Sequence, residues 1–265
     1  MNFSAIIFTE EIFKAMATYV MGDIHGAYKA MIQCFQRSGF SYGTDTLIQL
    51  GDVADRGPQV FECVEELLKI KHLVAVKGNH DDWFMQYINT GLHPGSWSQG
   101  GKYTLMSYLQ HTDRNGSGNF LNPGDVPDTH RAFFNNQLHY YISRENDCFV
   151  HAGFDRTIDF FEQQAMLYYW DRALWQDALF FEVERKRQKN SETPVVFPMK
   201  TTFREIYIGH TPTTKMGSDR PMRAMNVINL DTGAGQSGRL TIMDIETKVY
   251  WQSDPVAELY AGGAE

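Results

Sequence analysis

Cysteine is scarce in this chain: three residues in 265, Cys34, Cys63 and Cys148, with no CxxC pair among them. An odd number scattered through apolar runs argues against a disulfide framework and implies reduced, buried thiols in a cytosolic protein. No stretch nears the roughly 18 uninterrupted apolar residues of a membrane span. Basic residues are also in deficit, with 24 Lys plus Arg against 32 Asp plus Glu and a formal charge of −8. That balance argues against broad, charge-driven binding to nucleic acid or membrane, but leaves room for a local basic pocket for one phosphate. The first fifteen residues lack a basic start and a small-residue cleavage site and carry Glu10 and Glu11, so no signal peptide is expected. Residues 1–15 read either as a dispensable extension ahead of Met16 or as the product of an upstream start.

What is present suits a packed α/β chain. Hydrophobic residues make up 43% of the sequence, enough for a sizeable core in a single domain spanning 1–265. Thr18–Met21, Thr46–Leu50 and Leu73–Val76 read as strands. Between them, Ala27–Arg37 repeats Ala27, Ala30, Met31, Cys34 and Phe35 on one helical face. A second helix is expected from Pro58, with Val60, Phe61, Val64, Leu67 and Leu68 at helical spacing. This β-α-β-α-β order implies a parallel sheet with covering helices. Later strands are expected at Phe149–Val150, Ile206–Ile208, Asn226–Leu230 and Leu240–Ile245, with Lys248–Gln252 pairing back through a turn at Glu246–Thr247. Two stretches, 89–128 and 160–200, break the rhythm and read as cap-like insertions over the scaffold. The charged run Glu184–Asn190 reads as the solvated end of a helix.

Three polar motifs stand just past the first three strands: Gly22-Asp23-Ile24-His25-Gly26, Gly51-Asp52-Val53-Ala54-Asp55-Arg56-Gly57 and Gly78-Asn79-His80-Asp81. In parallel sheets, ligands collect beyond the carboxyl ends of the strands. His151 in Phe149-Val150-His151-Ala152-Gly153 and His210 in Gly209-His210-Thr211-Pro212 repeat the pattern. Singly, each has an ordinary account: Asp23 as a helix cap, Asp52 ending a strand, Asn79 tolerating a left-handed turn. Seven such groups at one rim make a metal site the more economical reading. A set of carboxylate, imidazole and amide oxygen without thiolate suits Mn²⁺, Fe or Zn²⁺. Arg56, with its planar fork, is shaped for two phosphate oxygens. The imidazole of His80 can hand over a proton near neutral pH.

In this order the motifs GDIHG, GDVADRG, GNHD, HAG and GHTP resemble the calcineurin-like metallophosphoesterases, and within them the phosphoprotein phosphatase branch and its bacterial and phage relatives. The resemblance runs from about Thr18 to Gln252. It implies a four-layer α/β/β/α sandwich and two metal ions, Mn²⁺ foremost, with Fe or Zn²⁺ as alternatives. It implies Asp23 and His25 on the first metal, Asp52 bridging, and Asn79, His151 and His210 on the second, with Asn79 also facing substrate. His80 becomes the general acid, Asp55 the residue orienting it, and Arg56 and Arg172 the phosphate-binding pair. The chain departs from the wider family at Thr211 and Pro212, where many members place a second histidine after His210. Ala54, Asp81 and Lys77 also differ from the commoner residues, without removing a ligand.

The expected activity is hydrolysis of phosphomonoesters of the phosphoserine and phosphothreonine type, by water activated between two metals. A symmetrical dinucleoside tetraphosphate hydrolase, or another nucleotide phosphoesterase, shares the same motifs. A catalytically inactive metal-binding module is the rival from another class, opposed by the intact His80, Asp55 and Arg56. The expected partner is thus a phosphorylated protein, a peptide or a nucleotide. His72, His93, His111, His130 and His139 match no motif and read as packing or surface residues. The aromatic run Phe160–Trp175 reads as core or cap packing, Asp231 as a structural turn beside the site, and Trp97–Gly101, followed by Ser107 and Tyr108, as pocket wall.

Overall fold

The computed structural model describes residues 16–95, 97–112, 120–188 and 194–261. The extension expected at 1–15 lies outside them. The first half supplies β1 (Thr18–Met21), α1 (Tyr28–Ser38), β2 (Thr46–Gln49), α2 (Val60–Leu67), β3 (His72–Ala75), α3 (Asn79–Thr90), α4 (Gly101–Leu109) and α5 (Asp128–Asn135). The second half supplies β4 (Tyr140–Ile142), β5 (Cys148–Val150), α6 (Leu167–Trp170), α7 (Ala173–Arg187), β6 (Ile206–Ile208), β7 (Met222–Ala224), β8 (Val227–Asn229), β9 (Thr241–Asp244), β10 (Tyr250–Gln252) and α8 (Val256–Leu259).

These strands form two five-stranded sheets, ordered β10-β9-β1-β2-β3 and β4-β5-β6-β8-β7. The expected parallel unit is present, with β1 beside β2 and β2 beside β3, and β10 pairs antiparallel to β9 as the sequence implied. Side-chain alternation explains the layers. In β1, Tyr19 and Met21 face the helices while Val20 faces the other sheet. In β6, Ile206 and Ile208 face α7 while Tyr207 turns inward against Phe149 of β5, their rings stacked at 4.7 Å. Val20, Ile48, Phe149, Tyr207, Ile228 and Met243 thus fill the space between the sheets. Helices α1 to α5 cover one outer face and α7 the other, giving the four-layer α/β/β/α sandwich.

Several local expectations need correction. Pro58 precedes α2, which starts at Val60, so it leads the chain in instead of opening the helix. On α2 the buried face is Val60, Cys63, Val64 and Leu67, while Leu68 is 43% exposed past the helix end. The stretch 89–128 holds α4, whose buried Thr104, Ser107 and Tyr108 are mostly polar and so gave no apolar period. Strands β4 and β7 were not anticipated: they are the two edges of their sheet and only partly buried, so neither shows the fully buried apolar run of β5, β6 and β8. The charged run does end a helix, exposed through Gln188, and its last two residues lie outside those described. All three cysteines are free and buried. Among the described residues no helix is long and apolar enough to cross a membrane.

Candidate metal centre and phosphate pocket

The strand ends deliver their polar motifs into one crevice, and the loops are laced together to hold it. The N–H groups of Ile24 and His25 both donate to the Asp52 carbonyl, at 3.1 and 2.8 Å, and Gly26 N–H donates to Val53. Five of the site residues, His25, Asp52, Asp55, Arg56 and His210, sit at positive φ. Left-handed backbone at a non-glycine residue costs about 1 kcal/mol or more and persists where surrounding contacts over-determine it. Two glycines are required by close approach: a Cβ at Gly78 would collide with Asp52 Oδ1, and one at Gly209 with Asp23 Oδ1.

Asp52 lies at the centre. Its Oδ1 accepts the backbone N–H of His80 at 3.0 Å. Its Oδ2 faces Nε2 of His25 at 3.5 Å and Nε2 of His151 at 3.4 Å. Both histidines direct Nδ1 at a main-chain carbonyl, Ala54 at 2.9 Å and Leu50 at 2.7 Å. Those carbonyls fix the proton on Nδ1 and leave the Nε2 lone pairs aimed inward. His151 Nε2 is also 3.3 Å from Asn79 Oδ1. Nε2 of His210 is buried with no hydrogen-bond partner. Imidazole nitrogens and an amide oxygen gathered round a carboxylate, with the His210 nitrogen buried and unpartnered beside them, make a donor set that suits cations.

Among the described residues two groups have ligand atoms close enough for an ion: His25, Asp52 and His80, and Asp52, His151 and His210, with Asp52 shared between them. Asp23 belongs to neither group by that measure. Its carboxylate accepts the His210 N–H at 3.3 and 3.1 Å, tying the first motif to the last. His80 serves a second partner. Its Nδ1 meets Asp55 Oδ2 at 2.6 Å, and its Nε2 lies 3.5 Å from Arg56 Nη2.

The charges record this crowding. Burial alone would raise Asp52, yet the imidazoles of His151, His80 and His25 outweigh it and hold the carboxyl well below its usual range. Burial raises Asp23, with Asp231 and Asp52 adding to the effect. Burial lowers His25 to about 3, whereas Asp52 overcomes burial at His151 and lifts it to about 10. Burial, helped by His151 and Arg172, lowers His210 well below its ordinary value.

Beside the ligands is a cavity of about 100 Å³, lined by His25, Asp52, Arg56, Asn79, His80, Arg172 and His210. Arg172, which precedes α7, also donates to Thr211 Oγ1 at 2.9 Å, which fixes its guanidinium at the rim. Lys215, Gln99, Gln236 and Trp170 complete the lining. Sequence reasoning missed Lys215 and Gln236 and gave Trp170 only a packing role, in the core or the cap. Lys215 could have been suspected from its place five positions past His210. Trp170 does pack on Trp83, at 5.3 Å between rings, but it is 36% exposed and also borders the cavity. Asp231 lines the cavity as well. Its Oδ1 accepts Gly233 N–H, as a turn residue should, and burial lifts its carboxyl to about 6. Of the wall expected at Trp97–Gly101, Gln99 lines the cavity, whereas Trp97 is buried with its indole N–H donating to Asp55.

A family model described as calcineurin-like phosphoesterase matches residues 16–225. The chain belongs to the calcineurin-like phosphoesterase family. It is accordingly a metal-dependent phosphoric ester hydrolase. The symmetrical bis(5'-nucleosyl)-tetraphosphatase of Neisseria meningitidis serogroup A is 25% identical over 280 residues, covering 88% of this chain and 94% of that one. Among solved structures, one provisionally described as a diadenosine tetraphosphatase covers 92% of this chain and is itself 95% covered, with a TM-score of 0.61 and 18% identity. The cold-active protein-tyrosine phosphatase of a Shewanella species covers 91% of this chain, with 81% of its own length covered, a TM-score of 0.53 and 14% identity. These two likenesses bear on the fold alone.

Proposed function

We propose that this metallophosphoesterase hydrolyses phosphate monoesters of the phosphoserine and phosphothreonine class. The observation that carries this reading is the cavity of about 100 Å³ with Arg56 and Arg172 on its lining beside His80. That space accommodates one phosphoryl group, with the rest of the substrate outside.

In this reading two cations would be held by Asp23, His25 and the shared Asp52 on one side and by Asn79, His151 and His210 on the other. When bound, such ions supply Lewis acidity toward water and phosphoryl oxygens. The remaining work falls to the chain. Arg56 and Arg172 grip the equatorial oxygens and neutralise charge as it develops. Water forms the new P–O bond and gives up a proton to solvent. The ester P–O bond breaks with its electron pair on the leaving oxygen, and His80 Nε2 passes a proton to that oxygen. Asp55, at Nδ1, holds the ring so that Nε2 points into the cavity.

A second reading, hydrolysis of symmetrical dinucleoside tetraphosphates, is favoured by the nearly full-length similarity to the Neisseria enzyme and by Lys215, a third cation at the pocket. Catalytic efficiencies on a phosphoserine peptide and on diadenosine tetraphosphate, measured side by side with Mn²⁺, decide between them. The proposal expects at least about a tenfold preference for the peptide. A preference of that size for the tetraphosphate would reverse it.

A further inference from the structure

Asp55 has more partners than a residue that merely orients a histidine requires. Its Oδ2 faces His80 Nδ1 at 2.6 Å and also accepts the indole N–H of Trp97 at 2.7 Å. Its Oδ1 accepts the hydroxyl of Thr104 at 2.6 Å, and the same hydroxyl oxygen accepts the Asp55 backbone N–H at 2.8 Å. Both partners come from outside the strand-end motifs. Thr104 lies in α4, and Trp97 in the segment just before it. All three are sealed from solvent, with Asp55 and Thr104 at 0% exposure and Trp97 at 1%. The indole is itself fixed, packed on Tyr87 at 5.6 Å and on Phe84 at 6.1 Å.

A carboxylate gripped at both oxygens cannot rotate about its Cβ–Cγ bond. Its lone pair toward His80 therefore has one direction, and so does the imidazole that follows it. Burial makes each grip costly to lose, because a vacated carboxylate lone pair has no water to turn to. Packing alone would explain a buried tryptophan. It does not explain why the only polar atom of that ring lands on the oxygen that faces His80.

We propose that Trp97 and Thr104 are positioning residues for phosphoryl transfer, clamping Asp55 and through it aiming His80 Nε2 at the leaving oxygen. The proposal rests on the reading of His80 as proton donor.

The test compares two esters that differ in their need for a proton. Phenyl phosphate releases a basic phenolate, and 4-nitrophenyl phosphate releases one that departs unprotonated. The variants are Trp97→Phe, Thr104→Val, Thr104→Ser and His80→Asn, assayed with saturating Mn²⁺ and checked for folding by circular dichroism. If Trp97 and Thr104 position the acid, Trp97→Phe and Thr104→Val lower kcat on phenyl phosphate by about tenfold and on the nitrophenyl ester by threefold or less, with KM unchanged. Thr104→Ser restores most of the turnover lost in Thr104→Val. Should Trp97→Phe fail to fold, the Thr104 pair carries the comparison.

Equal losses on both esters, a change confined to KM, or no loss at all would overturn the positioning role. His80→Asn separates that failure from failure of the underlying reading. A split between the esters in His80→Asn but not in the Trp97 and Thr104 variants removes only the clamp. The absence of a split in His80→Asn removes the acid, and the clamp with it.

Discussion

The backbone N–H of His210 donates to both carboxylate oxygens of Asp23, joining motifs 187 positions apart in the chain. This is possible because residue 209 is glycine, whose missing Cβ leaves the space that Asp23 Oδ1 occupies. Gly209→Ala should therefore push the carboxylate off the N–H and away from the metal side of the crevice. We expect a folded protein with Mn²⁺ affinity lower by about tenfold or more, as when a group supporting a metal ligand is lost. Isothermal titration of Mn²⁺ into both proteins checks this. Unchanged affinity with full turnover would remove Asp23 from the ligand set.

Metal removal should be visible in stability as well as activity. Asp23, Asp52 and Asp231 are at most 3% exposed, and each raises another's pKa or is raised in turn. Cations relieve that repulsion in the folded chain only. At about a hundred times Kd, a ligand adds roughly 2.7 kcal/mol, which in a chain of this size shifts Tm by several degrees. Differential scanning calorimetry in EDTA and in Mn²⁺ should show the chelated protein melting lower. Coincident transitions would argue that the site contributes nothing to the fold.

The parts of this molecule that were legible in the sequence share a cause. Residues 18–90 alternate strand and helix with clear periods, and each strand ends in a glycine-flanked polar motif, so chemistry and topology are written together. The candidate ligands stood out because their order and their joint place at the strand ends outweigh the ordinary account that each has singly. The clamp on Asp55 was not. Trp97 and Thr104 lie in a region without apolar period, and what matters about them is one N–H and one hydroxyl, which pattern does not reveal. Trp170 was misplaced for the opposite reason: its aromatic neighbours Phe160, Tyr168 and Trp175 are buried, and composition does not tell those rings from Phe161, which is 61% exposed, or from Trp170 at the cavity. Lys215 was passed over because an exposed lysine has no apolar period to mark it, and only its place five positions past His210 hinted at the pocket.

The ends of the strands remote from the site carry a separate ionic hub. Glu205 accepts from Tyr207 at 2.8 Å and Arg223 at 2.9 Å, and Lys248, from the turn between β9 and β10, reaches it from the other sheet. Burial alone would raise the Glu205 carboxyl, but Lys248 and Tyr207 outweigh it and hold it below its ordinary value of 4.5. A depressed carboxyl contributes stability that is present above pH 4.5 and is lost as pH falls through the folded value below it. Glu205→Gln should cost about 2 kcal/mol near neutral pH, the scale of a charged hydrogen bond. Thermal unfolding of both proteins from about pH 7 to pH 3 should show the gap closing at the acid end. A gap independent of pH would assign the loss to packing.

Lys215 offers the sharpest separation of the two substrate readings. It stands exposed on the 3-10 turn Thr213–Met216 and borders the same cavity as Arg56 and Arg172. A single phosphoryl group is already matched by the two guanidiniums, whereas a polyphosphate carries charge past them toward the rim. Lys215→Ala should therefore change kcat/KM on a phosphomonoester by no more than about threefold, while lowering it on diadenosine tetraphosphate by about tenfold, or roughly 1.4 kcal/mol. The loss on the tetraphosphate should shrink with added salt, since an exposed charge is screened within about 10 Å at 0.1 M. Equal losses on both substrates would mean that Lys215 reaches the reacting phosphoryl group itself, and the cavity would then hold three cations on one phosphate.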